Sequence, residues 1–138
     1  MNENLCIIIP SRIGSTRLKN KPLVDIKGET LIQRVFKNAY QISTQTFVAT
    51  DSILIRDNLI DITDNVLMTS EDHISGTDRI HEAANKLSLD DDTLILNLQG
   101  DEPFIPKQLI LNLIDDYFSI SCDVITASSN LYSDADIL

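Results

Sequence analysis

The feature that most restricts the fold of this chain is an alternation between short apolar runs and stretches of helical period. Leu5 to Pro10 is a continuous run rich in isoleucine, which is typical of a strand buried on both faces. Four later segments have the same character, and helical stretches lie between them. The alternation predicts an α/β fold with a mostly parallel, doubly wound sheet, which binds ligands outside the carboxyl ends of its strands.

The later strands and the helices can be placed from the same patterns. The strands are predicted at Thr46 to Thr50, Asn65 to Thr69, Thr93 to Leu98 and Asp123 to Ser128. The helices are predicted at Thr30 to Ile42, Ser52 to Ile60, Thr77 to Leu87 and Pro106 to Phe118. Because the 138 residues contain no repeat and no low-complexity linker, we expect one α/β domain over residues 1–138.

Charge is distributed unevenly along the chain. Asp and Glu number 21 against 11 Lys and Arg, so the net charge of −10 disfavours nucleic acid and anionic membranes as partners. The first 37 residues nevertheless hold seven of the cations against three acids. Four of those cations fall between Arg12 and Lys21, which favours a small polyanion as the ligand of that segment.

The cysteines and the hydropathy pattern indicate the cellular compartment of the protein. Cys6 and Cys122 are far apart and form no metal or redox motif. No apolar run has the roughly 18 residues of a membrane span, and no secretory leader is recognisable. We therefore expect a cytoplasmic protein without structural disulfides.

The segment after the first strand has the composition of a phosphate-binding loop. It offers hydroxyl side chains, one glycine and four cations, namely Ser11, Arg12, Gly14, Ser15, Thr16, Arg17, Lys19 and Lys21. Hydroxyls and backbone N–H groups cradle phosphate oxygens, while Arg and Lys neutralise their charge. The spacing matches neither the Walker A motif nor the dinucleotide-binding fingerprint. A solvated basic loop is the alternative interpretation.

Two further segments lie where later strands are predicted to end. Ser75-Gly76-Thr77 precedes a helix and could receive a ligand oxygen or a base edge, although plain helix capping explains these residues equally well. His73 and His81 lack the paired spacing of a metal site, so we expect surface or capping roles for them.

Asp101 and Glu102 follow the strand predicted at Thr93 to Leu98. Mg²⁺ is commonly held by one or two carboxylates together with substrate phosphates, which makes Asp101 the candidate metal ligand. A turn residue ahead of Pro103 is the alternative.

Taken together, these motifs resemble the 3-deoxy-manno-octulosonate (Kdo) cytidylyltransferases, the CMP-Kdo synthetases, over nearly the whole chain and in order. The matching segments are Pro10-x-Arg12-x-x-Ser15-Thr16-Arg17-Leu18-x-x-Lys21-Pro22-Leu23, Ala49-Thr50-Asp51, Met68-Thr69, His73-x-Ser75-Gly76-Thr77-x-Arg79 and Asn97-x-Gln99-Gly100-Asp101-Glu102-Pro103. The resemblance implies a nucleotidyltransferase fold of the GT-A or Rossmann-like type. It also implies transfer of CMP from CTP to Kdo, with release of pyrophosphate, in lipopolysaccharide synthesis.

The resemblance also implies roles for individual residues. The triphosphate would be held by Arg12, Ser15, Arg17 and Lys21, and the cytidine by Ser75, Gly76, Thr77, Arg79 and Gln99. Asp101 would bind the catalytic Mg²⁺, and Arg12, Arg17, Lys21 and Asp101 would form the catalytic set. The partners would be CTP and Kdo, and the full-length protein would be a homodimer.

The chain departs from the family pattern at two points. Lys19-Asn20 stands where the family usually has Pro-Gly. The chain is also about as long as the N-terminal half of a family member, so we expect the C-terminal part to be missing, with a second metal-binding aspartate and much of the sugar site. Three alternatives stay open: a CTP-binding fragment without turnover, an acylneuraminate-type cytidylyltransferase, and a flavodoxin-like or receiver-like signalling module.

Overall fold

The computed structural model describes residues 4–14 and 17–128, and the chain divides into two compact units, Met1–Phe104 and Ile105–Leu138. In the first unit, four strands form a parallel sheet. They are β1 (Leu5–Ser11), β4 (Thr46–Thr50), β5 (Val66–Met68) and β6 (Leu94–Asn97). The helices of this unit are α1 (Leu31–Tyr40), α2 (Ile53–Leu59) and α3 (Gly76–Leu87). A short 3₁₀ helix covers Lys21–Leu23. The predicted α/β class is confirmed.

The strand order β5-β4-β1-β6 places the direction change of the chain beside β1. The chain moves outward from β1 through β4 to β5 and then returns to β6 on the other side of β1. Such a reversal opens a crevice at the carboxyl ends of the two central strands, because the connections leave on opposite faces of the sheet. In this protein the crevice therefore lies where β1 and β6 end.

β1 is the centre of the core because its apolar run is buried along its whole length. Cys6 and Ile8 pack with Ala49, Ile80 and Ala83 beneath α3. Ile7 and Ile9 point to the opposite face, since side chains alternate along a strand, and they are also fully buried. Burial also raises the pKa of the Cys6 thiol to about 11, so this cysteine is an inert core residue.

Side-chain caps fix the beginnings of the helices that frame the crevice. Thr30 and Gln33 form the reciprocal capping box expected from their spacing at the start of α1. The Ser75 hydroxyl accepts a hydrogen bond from the Asp78 backbone N–H at 3.1 Å, which starts α3 at Gly76. The sequence thus located both starts to within one residue.

A small hairpin was not predicted. β2 (Asp25–Ile26) and β3 (Glu29–Thr30) are antiparallel and joined by Lys27-Gly28, both of which have positive φ. Two central residues with positive φ are typical of the tight turn that hairpins favour. The hairpin is tied to α1, where Arg34 donates to the Ile26 carbonyl and forms an ion pair with Glu29.

The second unit contains α4 (Lys107–Ser119), which begins directly after Pro106. The strand predicted at Asp123 to Ser128 is wrong: within the described residues this segment joins no sheet, and Val124 is 83% exposed. A β-strand exists only through hydrogen bonds to a neighbour, so an apolar β-branched run without such a neighbour stays irregular. The described sheet accordingly has four strands rather than five.

Candidate nucleotide site

The carboxyl ends of β1 and β6 and the start of α3 enclose a cleft of about 430 Å³. Its wall is formed by three segments of the first unit that are distant in sequence, together with Leu31 at the start of α1. The lining residues are Pro10, Ser11, Arg12, Gly14, Arg17, Lys21, Pro22, Leu31, His73, Ile74, Ser75, Gly76, Arg79, Gln99, Gly100 and Asp101. The cleft has the size of a small-molecule site and lies where the sheet topology requires one.

Two glycines allow the walls of the cleft to meet. A Cβ at Gly100 would lie 3.0 Å from the Pro10 carbonyl oxygen, and a Cβ at Gly76 would lie 3.3 Å from the Pro10 side chain. Both distances are shorter than ordinary carbon contacts. The loop after β6 and the start of α3 therefore approach the end of β1 so closely that a side chain at either glycine would require Pro10 to shift.

The cations of the first loop line one wall. Arg12 and Arg17 are exposed there, and Lys21 is partly buried, whereas Lys19 is exposed and outside the lining. Asn20 has φ 54° and ψ 36°, a left-handed conformation that asparagine tolerates better than most residues. Asn20 can thus replace the glycine of the family pattern in this turn. Ser15, which was predicted to bind the triphosphate, lies outside the described residues.

Ser11 belongs to the predicted phosphate-binding loop but not to the set that the resemblance assigned to the triphosphate. Its hydroxyl oxygen is buried at the end of β1 and, among the described residues, has no hydrogen-bond partner. A buried hydroxyl without a partner is energetically unfavourable, and such groups often belong to ligand sites. The cleft therefore has an unsatisfied hydrogen-bonding group beside its cationic wall.

Asp101 lies opposite the cationic wall and pairs with it. Its Oδ2 atom is 3.0 Å from Lys21 Nζ, and the two side chains are 52% and 42% exposed. No group of three or more His, Cys, Asp or Glu side chains within the described residues could hold a metal ion. The cleft thus offers Mg²⁺ one carboxylate, which fits a magnesium ion that takes its other ligands from phosphates and water.

Arg79 was predicted to hold the cytidine, but its guanidinium is largely engaged by the protein. The side chain is 4% exposed and donates to the Thr69 hydroxyl, to the Ser70 carbonyl at 3.2 Å and to Asp51 Oδ2 at 3.3 Å. These partners lie at the ends of β4 and β5. Arg79 therefore joins α3 to two strand ends and borders the cleft at the same time.

The remaining residues predicted to bind cytidine differ in position. Ser75, Gly76 and Gln99 line the cleft, whereas Thr77 lies in the first turn of α3 outside the lining. The Gln99 side chain donates to Asn97 Oδ1 at 3.0 Å. The structure therefore brings together all the described candidate residues except Thr77.

His73 and Glu82 form a second group that the sequence reading did not assign to the site. His73 lines the cleft rather than serving only as a surface or capping residue, and its Nε2 atom is 2.5 Å from Glu82 Oε2. Glu82 also accepts hydrogen bonds from Lys86 and from the Ser70 backbone N–H. These hydrogen bonds lower the pKa of Glu82 to about 2, with Lys86 as the largest cause. The spacing of Arg79 and Glu82 predicts that they share one face of α3, but the sequence gives no signal for the contact between Glu82 and His73.

Comparison with known proteins identifies the group to which this arrangement belongs. The family model for cytidylyltransferases matches residues 6–134. The chain belongs to the cytidylyltransferase family. In the described part of this cytidylyltransferase, no helix is long and apolar enough to cross a membrane.

Several relatives are 3-deoxy-manno-octulosonate cytidylyltransferases. The protein of Alcanivorax borkumensis is 45% identical in an alignment of 135 residues, which covers 92% of this chain and 53% of that protein. The protein of Lawsonia intracellularis is 38% identical over 95% of this chain and 52% of its own length. This cytidylyltransferase thus spans about half the length of the curated relatives it matches.

Solved structures agree with the fold. A CMP:2-keto-3-deoxy-manno-octonic acid synthetase complexed with CTP matches with a TM-score of 0.76 and 38% identity, over 83% of this chain and 47% of that chain. A cytidylyltransferase from Leptospira borgpetersenii matches with a TM-score of 0.68 at 23% identity, over 86% of this chain and half of its own. The second likeness concerns the fold alone.

Proposed function

We propose that the cleft binds CTP and that the whole protein transfers CMP from CTP to Kdo in lipopolysaccharide synthesis. The observation that carries the proposal is the cleft itself. The cleft lies where the strand order reverses beside β1. It combines a cationic wall, an unsatisfied buried hydroxyl at Ser11 and a carboxylate at Asp101. A nucleoside triphosphate needs this combination of charges and donors.

In the proposed reaction the anomeric hydroxyl of Kdo attacks the α-phosphorus of CTP. The bond from the α-phosphorus to its bridging oxygen breaks, pyrophosphate leaves, and the hydroxyl proton passes to solvent. Arg12, Arg17 and Lys21 line the cleft and would stabilise the charge on the leaving pyrophosphate. Catalysis then depends on positioning and charge neutralisation, and no protein nucleophile is needed.

Asp101 is the residue that would hold Mg²⁺. When bound, the ion would neutralise phosphate charge and increase the acidity of the attacking hydroxyl. The ion would compete with Lys21 for the Asp101 carboxylate, and a phosphate group would be an alternative acceptor for the Lys21 ammonium. We further propose that the reaction is cytoplasmic and that the full-length protein is a homodimer, which sedimentation of that protein would test.

The chain of 138 residues alone is proposed to bind CTP without forming CMP-Kdo. No Lys, Arg or His follows Lys107, so residues 108–138 offer no cation for the carboxylate of an acid sugar. Turnover by the purified chain would contradict this part of the proposal.

Calorimetry with CTP, UTP, ATP and GTP, each with and without Mg²⁺, tests the binding proposal. We expect CTP to bind most tightly and Mg²⁺ to strengthen the interaction. Equal affinity for all four nucleotides would reduce the cleft to an anion site without base recognition.

A further inference from the structure

Three side chains on one face of α3 hold the segment that precedes the helix. Arg79, Glu82 and Lys86 are spaced by three and four residues, so they share a face. Arg79 binds Thr69 and the Ser70 carbonyl, Glu82 accepts from the Ser70 N–H at 3.0 Å, and Lys86 donates to the Met68 carbonyl at 2.5 Å. The loop from residue 69 to residue 75 is thereby fixed from its own helix.

His73 connects Glu82 of α3 to the cleft. His73 lines the cleft, and its Nε2 atom is bound to Glu82 Oε2. Among the described residues, the other ring nitrogen, Nδ1, has no hydrogen-bond partner. It is therefore the polar atom of this side chain that remains for a ligand.

The chemistry of Glu82 determines what Nδ1 can do. The pKa of Glu82 is lowered to about 2, so the carboxylate is ionised at neutral pH and only accepts hydrogen bonds. Nε2 must then donate the hydrogen bond, so a neutral imidazole at this position carries its single proton on Nε2. In that tautomer Nδ1 has a free lone pair and is an acceptor.

We propose that Glu82 is a positioning residue for base selection, because it holds His73 in the Nε2–H tautomer and so presents Nδ1 as an acceptor for the amino group of cytosine. The inference rests on the proposed CTP binding. Cytosine carries an amino donor at position 4, where uracil carries a carbonyl oxygen. The uracil oxygen would meet the Nδ1 lone pair, so the site favours CTP over UTP.

The test compares the CTP and UTP dissociation constants of the wild-type chain with those of four variants. These are Glu82→Ala, His73→Ala, the double variant, and Glu71→Ala as a control for loss of an exposed acidic residue from the same loop. Calorimetry at pH 8 with Mg²⁺ keeps ordinary imidazoles neutral. The ratio of the two constants is insensitive to the folded fraction, which scales both of them equally.

We expect Glu82→Ala and His73→Ala each to lower the preference for CTP by roughly tenfold, the value of one hydrogen bond between neutral groups. The double variant should lose no more than either single variant, because Glu82 acts through His73. Glu71→Ala should retain the wild-type preference. The ¹⁵N spectrum of His73 should show the Nε2–H tautomer in the wild type and lose it in Glu82→Ala.

The outcomes distinguish failure of the proposed function from failure of the role of Glu82 alone. A wild-type chain that binds CTP and UTP equally would contradict the proposed function. A wild-type preference that survives Glu82→Ala would overturn the role of Glu82 alone. Additive losses in the double variant, an equal loss in Glu71→Ala, or an Nδ1–H tautomer in the wild type would overturn it as well.

Discussion

Replacing Lys21 by methionine should weaken CTP binding strongly while leaving the fold almost unchanged. Lys21 borders the cleft and is 3.0 Å from Asp101. Methionine keeps most of the apolar stem and removes only the ammonium group. The variant therefore separates the charge of this side chain from its packing.

The magnitude follows from the two interactions of the ammonium. A hydrogen bond between charged groups contributes roughly 1.5 to 3 kcal/mol, and binding CTP must first release Lys21 from Asp101. That ion pair is about half exposed, so breaking it costs at most about 1 kcal/mol. The net loss in Lys21→Met should thus be roughly 0.5 to 3 kcal/mol, or about 2- to 150-fold in Kd. The free energy of unfolding should change by less than about 1 kcal/mol.

Calorimetric titration with CTP at constant ionic strength measures the first quantity, and urea unfolding measures the second. Lys19→Met is the matched control, because Lys19 is exposed in the same loop but outside the lining of the cleft. Its effect on Kd should stay within about threefold, as for a screened surface charge. A loss in Lys19→Met equal to that in Lys21→Met would refute the assignment of the loop.

Three other changes test the remaining parts of the site. Asp101→Asn should remove the Mg²⁺ dependence of CTP binding and alter the unfolding free energy by less than about 1 kcal/mol; a persistent Mg²⁺ effect in calorimetry would place the metal elsewhere. Arg79→Lys should lower the free energy of unfolding in urea by roughly 3 kcal/mol, because lysine cannot replace the forked contacts to Asp51 and Thr69. Unchanged stability with lost CTP binding would instead indicate that Arg79 contacts the ligand directly. Because the pKa of Glu82 falls from 4.5 to about 2 on folding, its stabilising contribution is complete above pH 4.5 and is lost as the pH falls towards 2. Glu82→Gln should flatten the acid unfolding curve in that window, and a curve parallel to the wild type would exclude this contribution.

The central sheet could be predicted because its signal is local. Leu5 to Pro10 reads as a buried strand by itself, and β1 is indeed buried throughout. Asp123 to Ser128 has the same kind of local signal, yet it joins no strand in the described part of the chain. Whether such a run pairs depends on a neighbour, and the neighbour is not encoded in the run.

The site was predictable to the level of segments but not of contacts. Loop composition and strand ends placed Arg12, Lys21 and Asp101 at one cleft, because parallel strands end at one edge of the sheet. The partners of Arg79 and the approach of Glu82 to His73 depend on how α3 lies over the preceding loop. Such long-range geometry leaves no periodic pattern in the sequence, so these roles emerged only from the structure.

Chemical labelling of the buried Cys6 thiol can report transient opening of the first unit. Cys6 is fully buried in the strand that ends at the cleft, and its pKa of about 11 keeps it protonated, whereas Cys122 is partly exposed in the second unit. A thiol reagent should modify Cys122 at once and reach Cys6 only when the first unit opens. A ligand that binds the folded state lowers the open population in proportion to its occupancy. The labelling rate of Cys6 can therefore report nucleotide occupancy of a cleft whose ligands the thiol never touches.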